Sequence, residues 1–125
     1  MRSPLGLRDL FRRSVAARYE PDVEFLGEQD GPGDTQLKAL LTRIVRAYPF
    51  VTDAYLARVC LPPARTPTVA ICLVVDRDNP MVERDMHAKF KILFSRGPLV
   101  DILYLSREQK ADVARVCPAF YSRAS

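Results

Sequence analysis

Two aspartates and a tyrosine lie inside strand-like segments that are otherwise apolar. Asp53 and Tyr55 belong to VTDAYLARVCL, residues 51–61, and Asp101 belongs to VDILYLS, residues 100–106. Two carboxyl groups in one site could divide acid and base work, with one protonated and the other ionised. Carboxylates in such strands are more often held by backbone N–H groups or by an arginine. The sequence therefore leaves two interpretations open, a polar site formed by these three residues and a purely structural role.

Other groups that could do chemistry lack the partners that the chemistry needs. Asp76 and Asp78 resemble a DxD metal-binding pair, but they lie where a strand turns into a helix, and acids favour a helix N-terminus. His87 is the only histidine, shows no Ser-His-Asp or Cys-His arrangement, and is expected on a solvated helix flank. The three cysteines are scattered and form no CxxC or Cys/His cluster. We therefore assign no catalytic residue, no metal ligand and no cofactor.

The positive charge of the chain is concentrated at its start. The 125 residues carry a net charge of +4, and residues 1–18 hold five arginines and one aspartate. The remainder is neutral, which argues against a basic nucleic-acid-binding surface across the whole domain. No apolar run reaches the roughly 18 residues that a membrane-spanning helix needs, and none near the start resembles a secretory signal. With its scattered cysteines, the sequence predicts a cytoplasmic protein without a membrane span.

Hydrophobic periodicity and turn residues predict eight elements. Apolar residues recur at helical spacing in four segments and form strand-like runs in four others. We expect helices over 5–18, 34–48, 80–95 and 106–116, and strands over 22–26, 51–61, 68–75 and 99–105. Asp34, Asn79 and Ser106 are the expected N-caps, the last in a capping box with Gln109. The loop rich in Gly and Asp before Asp34 matches no phosphate-binding motif.

The predicted order α-β-α-β-β-α-β-α indicates an α/β (α+β) fold, a four-stranded mixed sheet with helices packed on it. The short loop at 62–67 favours an antiparallel hairpin, and residues 68–105 should form a parallel, right-handed β-α-β unit. Strand 68–75 is apolar on both faces and belongs at the centre of the sheet. Strand 51–61 could form a long sheet edge. Because exposed edges invite pairing, we also consider a homodimer.

Residues 1–19 are predicted to form a basic amphipathic helix that precedes a domain over residues 20–125. Its apolar face, surrounded by arginines, is formed by Leu7, Leu10, Phe11 and Val15. The helix could pack on the domain, dock in the groove of a partner protein, or lie on an anionic membrane or on nucleic acid. Its composition also imitates an organellar transit peptide, but it runs directly into the domain.

Four segments together resemble the C-terminal domain of the SseB family, the bacterial "enhanced serine sensitivity" proteins. They are VEFLGEQDGPGDTQLKALL, VTDAYLARV, PLVDILYL and PAFYSR, and they span about residues 22–123. The second is similar to the family's Val-x-x-Ala-Tyr-Leu pattern, the third to its Pro-Val-Asp strand and the fourth to its closing Pro-Phe-Tyr segment. Family members usually carry a separate N-terminal domain of comparable size, whereas here the matching segments follow the basic helix.

The resemblance implies a cytoplasmic bacterial protein with no established catalytic residues. It bears more on the fold than on the function. The positions that match the family pattern, none of which brings a known catalytic role, are Asp53, Tyr55, Asp101, Phe120, Tyr121 and Arg123.

We therefore expect a non-enzymatic module that binds a protein partner. The candidate contact residues lie on the basic helix and in the C-terminal aromatic segment, and they are Arg8, Phe11, Arg12, Val15, Phe120 and Tyr121. A small hydrolase or ligand-binding enzyme that uses Asp53, Tyr55 and Asp101 is the first alternative. Nucleic-acid binding through the N-terminal arginines is the second, and the neutral remainder of the chain disfavours it.

Overall fold

The computed structural model describes residues 20–95 and 100–123, together with the backbone of residues 17–18. Within these ranges the helices are α1 (Asp34–Arg46), α2 (Pro80–Leu93) and α3 (Arg107–Ala114). The strands are β1 (Ala17–Arg18), β2 (Glu24–Glu28), β3 (Val51–Cys60), β4 (Thr68–Val75), β5 (Asp101–Tyr104) and β6 (Tyr121–Ser122). The α/β class is confirmed, as is the predicted order of the elements from residue 22 to residue 116.

All six strands belong to one mixed sheet in the order β1-β5-β4-β3-β2, and β6 also pairs with β3. β3 and β4 form the predicted antiparallel hairpin, with Val59 opposite Thr68 next to its turn. β4 and β5 are parallel and are joined through α2, as a β-α-β unit requires. β4 lies between β3 and β5, so its apolar residues occupy the centre of the sheet as predicted.

β3 is an interior strand. β4 lies along one side of it, while β2 and β6 share the other side. β2 pairs with the second half of β3, from Ala57 to Cys60, and β6 pairs with Asp53 and Ala54. The prediction that this strand forms a sheet edge is therefore wrong, and the reason for expecting a homodimer falls away with it. The two residues of β6 carry too little periodicity to predict a strand from the sequence.

Each face of the sheet has its own apolar core. α1 and α2 cover one face, where they pack on Leu56, Ile71 and other sheet residues. The fully buried residues of these two helices are Leu41, Val45, Met86 and Phe90. α3 covers the other face, where Val113 packs with Cys72 and Leu103. Successive residues of a strand point to opposite faces, so β4 contributes to both cores.

Two of the three predicted helix caps are confirmed. The Asn79 side chain accepts a hydrogen bond from Val82 N at the start of α2, and Ser106 forms a complete capping box with Gln109 at the start of α3. The prediction for Asp34 is wrong, because Gly33 takes the cap position with a left-handed φ of 84°. The Asp34 carboxylate turns back instead and accepts a hydrogen bond from Gly31 N.

The predicted helix over residues 5–18 lies almost wholly outside the described residues. Its last two residues, Ala17 and Arg18, form β1, which runs parallel to β5 opposite Ile102 and Leu103. The prediction of a helix that reaches residue 18 is therefore wrong. The division of the chain between residues 19 and 20 stays a prediction.

Candidate functional site

Asp53 lies at a β-bulge near the start of β3 and interacts with three polar side chains. Thr52 Oγ1 donates to Asp53 Oδ2 over 2.8 Å, and Ser122 Oγ donates to Oδ1 over 3.1 Å. Lys110 Nζ lies 3.2 Å from Oδ2. We call these four residues the Asp53 clamp, because they join β3, β6 and α3.

The clamp keeps Asp53 ionised. Partial burial opposes ionisation, but the hydrogen bonds from Thr52, Lys110 and Ser122 outweigh it and hold the pKa of Asp53 below its ordinary value. The side chain is only 16% exposed, and both carboxylate oxygens already have donors. A carboxylate of this kind is a poor general base, because a proton is bound only well below neutral pH. Its chemistry is that of an acceptor that ties elements together.

Asp101 does not join Asp53. It stands opposite Ala70 of β4, whereas Asp53 stands opposite Val74. Four residues along the strand and two strand spacings therefore separate the two aspartates, a distance of about 16 Å between their Cα atoms. A shared site of two carboxyl groups requires a much shorter separation, so the geometry does not supply the carboxylate pair that the hydrolase alternative needs.

Tyr55 is a core residue on the face covered by α3. Burial and the charge of Asp53 raise the pKa of its hydroxyl above the ordinary value. The tyrosine is therefore neutral at physiological pH and lies beside the clamp. Of the three residues of the predicted polar site, the structure brings together Asp53 and Tyr55 and leaves Asp101 apart.

A second ion pair fastens the chain just after β6. Arg123 Nη1 lies 2.8 Å from Asp76 Oδ2 and donates to the backbone oxygen of Pro49 over 2.5 Å. The hydrogen bond from Arg123 holds the pKa of Asp76 below its ordinary value. Asp76 does not cap α2, because its carboxylate pairs with Arg123 and Arg77 while Asn79 caps the helix.

The prediction that the His87 side chain is solvated is wrong. Its Nε2 atom lies 2.8 Å from the hydroxyl oxygen of Tyr104 on β5, and the ring is partly buried between α2 and the sheet. Burial lowers the pKa of His87 against the opposing charge of Glu83. Helical spacing places His87 on a flank of α2. The contact with Tyr104 arises because β5 lies beside that flank, which the helical spacing alone does not reveal.

The C-terminal aromatic segment borders a groove of about 520 Å³. One wall is the side of α1 that carries Thr42 and Arg46, and the other is the chain from Phe120 to Arg123. The two rings are half-buried and pack against the core beneath α1 and α2. We call this surface the terminal groove. Its shape comes from two segments that are more than seventy residues apart.

The terminal groove carries positive charge that its own walls do not neutralise. Arg46 is exposed in the last turn of α1 and forms no ion pair with any described residue. Arg123 is paired with Asp76, and none of the described residues that line the groove carries a carboxylate. Sequence reasoning singled out Phe120 and Tyr121 but missed Arg46. A basic residue near a helix C-terminus is so common that its type and position give no signal.

The remaining candidate contact residues, Arg8, Phe11, Arg12 and Val15, lie outside the described residues. Their role stays a prediction. Within residues 20–95 and 100–123 no three His, Cys, Asp or Glu side chains are grouped so that they could hold a metal ion. In the same part of the chain, no helix has the length and apolar character needed to cross a membrane.

Comparison with known proteins returned no relative for this chain. No protein-family model matches it, and neither a curated protein nor a solved structure is significantly similar to it. The resemblance to the SseB family therefore stays a prediction that rests on the sequence segments, and the function has to be argued from the site.

Proposed function

We propose that this chain is a non-enzymatic protein-interaction module of the SseB C-terminal type, working in the bacterial cytoplasm, that binds an acidic segment of a partner protein in the terminal groove. The observation that carries the proposal is the groove's lining, in which Phe120 and Tyr121 stand beside Arg46, which has no ion-pair partner among the described residues. Tyrosine and arginine are the side chains that most often anchor protein–protein contacts. The sequence resemblance supports the family assignment.

The groove suits an extended segment. β6 pairs with β3 on one side, and no described strand pairs with its other side. A peptide that enters beside β6 could therefore gain backbone hydrogen bonds as well as contacts with the rings of Phe120 and Tyr121. An acidic residue in that peptide would meet Arg46, which has no competing carboxylate in the groove.

Charge reversal at Arg46 tests the proposal. The full chain is used to recover a partner from bacterial lysate, and the purified partner is then titrated against variants of the chain. Arg46→Glu should weaken binding by about tenfold or more, because it sets an acid against the acidic segment. Arg43→Glu is the matched control, since Arg43 is also exposed in the last turn of α1 but does not line the groove. It should change the affinity by less than about twofold.

Two results contradict the proposal. One is that no partner is recovered, and the other is that a recovered partner binds Arg46→Glu and Arg43→Glu equally well. The double variant Phe11→Ser with Val15→Ser provides a separate arm. Loss of binding in that variant alone would move the contact to the N-terminal residues that the sequence predicts.

A further inference from the structure

The outward side of α2 carries a line of exposed apolar residues. Met81 is 78% exposed and Ile92 is 75% exposed. They are eleven positions apart, which is three helical turns plus about 20°, so they lie on one line along the helix. Ala88 lies on the same line and is also exposed. Met86 and Phe90, on the opposite side of α2, are fully buried in the core.

Free positive charge borders this line on one flank. Arg84 and Lys91 are exposed, lie seven positions apart, and form no ion pair with any described residue. The two acids of α2 itself are already engaged. Asp85 accepts from the Tyr48 hydroxyl over 2.5 Å, and Glu83 accepts from the backbone N–H that opens the helix.

We propose that this surface, which we call the α2 stripe, docks an acidic amphipathic helix of a partner protein. The partner helix would place apolar side chains against Met81 and Ile92, roughly 16 Å apart along the axis. Its carboxylates would face Arg84 and Lys91, two turns apart. The proposal rests on the proposed role of the chain as an interaction module, but it uses a different surface from the terminal groove.

Charge decides between the possible occupants. A second copy docked stripe to stripe with its helix antiparallel would bring Arg84 and Lys91 against the same cations, which is unfavourable. With its helix parallel, the flank that meets Arg84 and Lys91 would carry Lys89 and an Asp85 that already pairs with Tyr48 and Lys89. The acidic loop before α1 is not suited to pair with Arg84 and Lys91, because its Glu28 and Asp30 already pair with Lys38. Two separated apolar side chains are also fewer than the continuous apolar face by which a helix lies in a membrane surface.

The test is a selection from a display library of random peptides of about 16 residues, long enough for four helical turns. The full chain should enrich peptides with net negative charge, and these should bind the double variant Met81→Ser with Ile92→Ser about tenfold more weakly. The matched control is Leu40→Ser with Val116→Ser, which also removes two exposed apolar residues, each 43% exposed, one from α1 and one from the turn after α3. It should leave the affinity within about twofold.

A charge exchange makes the test specific. The variant Arg84→Glu with Lys91→Glu should select basic peptides in place of acidic ones, which a general loss of folding would not produce. Absence of enrichment, or equal binding to the stripe variant and its control, would overturn the proposal. Stripe-dependent binding to phosphatidylserine vesicles, or a stripe-dependent dimer in sedimentation, would overturn it in favour of a membrane or a second copy. Selected peptides should still bind Arg46→Glu, so failure of the groove and failure of the stripe are distinguishable.

Discussion

The Asp53 clamp and the terminal groove both include residues of β6, and they differ in how their charged side chains are paired. In the clamp, Asp53 has partners on both carboxylate oxygens, and its side chain is mostly buried. In the groove, Arg46 is exposed and has no ion-pair partner among the described residues. β6 contributes to both, because Ser122 donates a hydrogen bond to Asp53 and Tyr121 lines the groove.

This difference separates a structural polar group from a candidate binding group. A buried charge with complete hydrogen bonding contributes to holding the fold, and its removal leaves donors without acceptors. An exposed charge without a partner contributes little to stability and is available to another molecule. A charged residue in an apolar strand therefore indicates a structural role first. A binding surface is better sought among exposed charges that lack ion-pair partners.

The largest effect should follow removal of the clamp acceptor. Asp53→Ala leaves Thr52, Ser122 and Lys110 without their carboxylate, and we expect it to lower the free energy of unfolding by about 2–3 kcal/mol. Urea denaturation measures this change. Asp112→Ala is the control, because Asp112 is half-exposed and its ion-pair partner among the described residues is Arg115 one turn away, so its loss should cost less than about 0.5 kcal/mol. Equal effects of the two substitutions would remove the distinction between clamp and surface.

A smaller effect should follow acidification. The folded pKa of Asp53 is lower than its ordinary value of 3.8, so the unfolded chain binds more protons between the two values. The stabilisation is therefore complete above the unfolded pKa and is lost as the pH falls through the folded pKa. Unfolding measured from about pH 7 down to about pH 2.5 should show this loss, with a shallower fall in Asp53→Asn. An unchanged slope in that variant would show that the clamp does not hold an ionised carboxylate.

The smallest effect should follow substitution in the groove. Arg46→Ser removes a charge that no described residue pairs with, so the free energy of unfolding should change by less than about 0.5 kcal/mol. The same urea denaturation measures it. A loss approaching that of Asp53→Ala would mean that Arg46 belongs to the fold, and the contrast between groove and clamp would collapse.

The sequence predicted the elements well where the signal is local. Ser106 and Gln109, which are three positions apart, form the capping box of α3. Asn79 caps α2 and is followed by Pro80 at the first helical position. The apolar run of β4 predicted a central strand, because a strand without a polar face must be covered on both sides. These features depend on neighbouring residues alone, which is why a single sequence reveals them.

The sequence could not predict contacts that join distant segments. The pairing of the first half of β3 depends on β6, and Ser122 reaches Asp53 across 69 residues. The groove depends on where α1 comes to lie relative to Phe120, and the partner of Asp53 is a lysine on a helix that follows it by more than fifty residues. No spacing rule connects such positions. The sequence therefore indicated the unusual residues but not the contacts between them.

The shared edge of β3 has a consequence for synthesis of the protein. The ribosome completes β3 long before it reaches Tyr121, so the first half of that strand keeps an unpaired edge while the rest of the sheet is already available. Closure by such distant residues slows folding and leaves a partly assembled chain prone to aggregation. We expect a nascent chain that stalls before Tyr121 to engage chaperones, whereas a chain that extends past Arg123 is released folded.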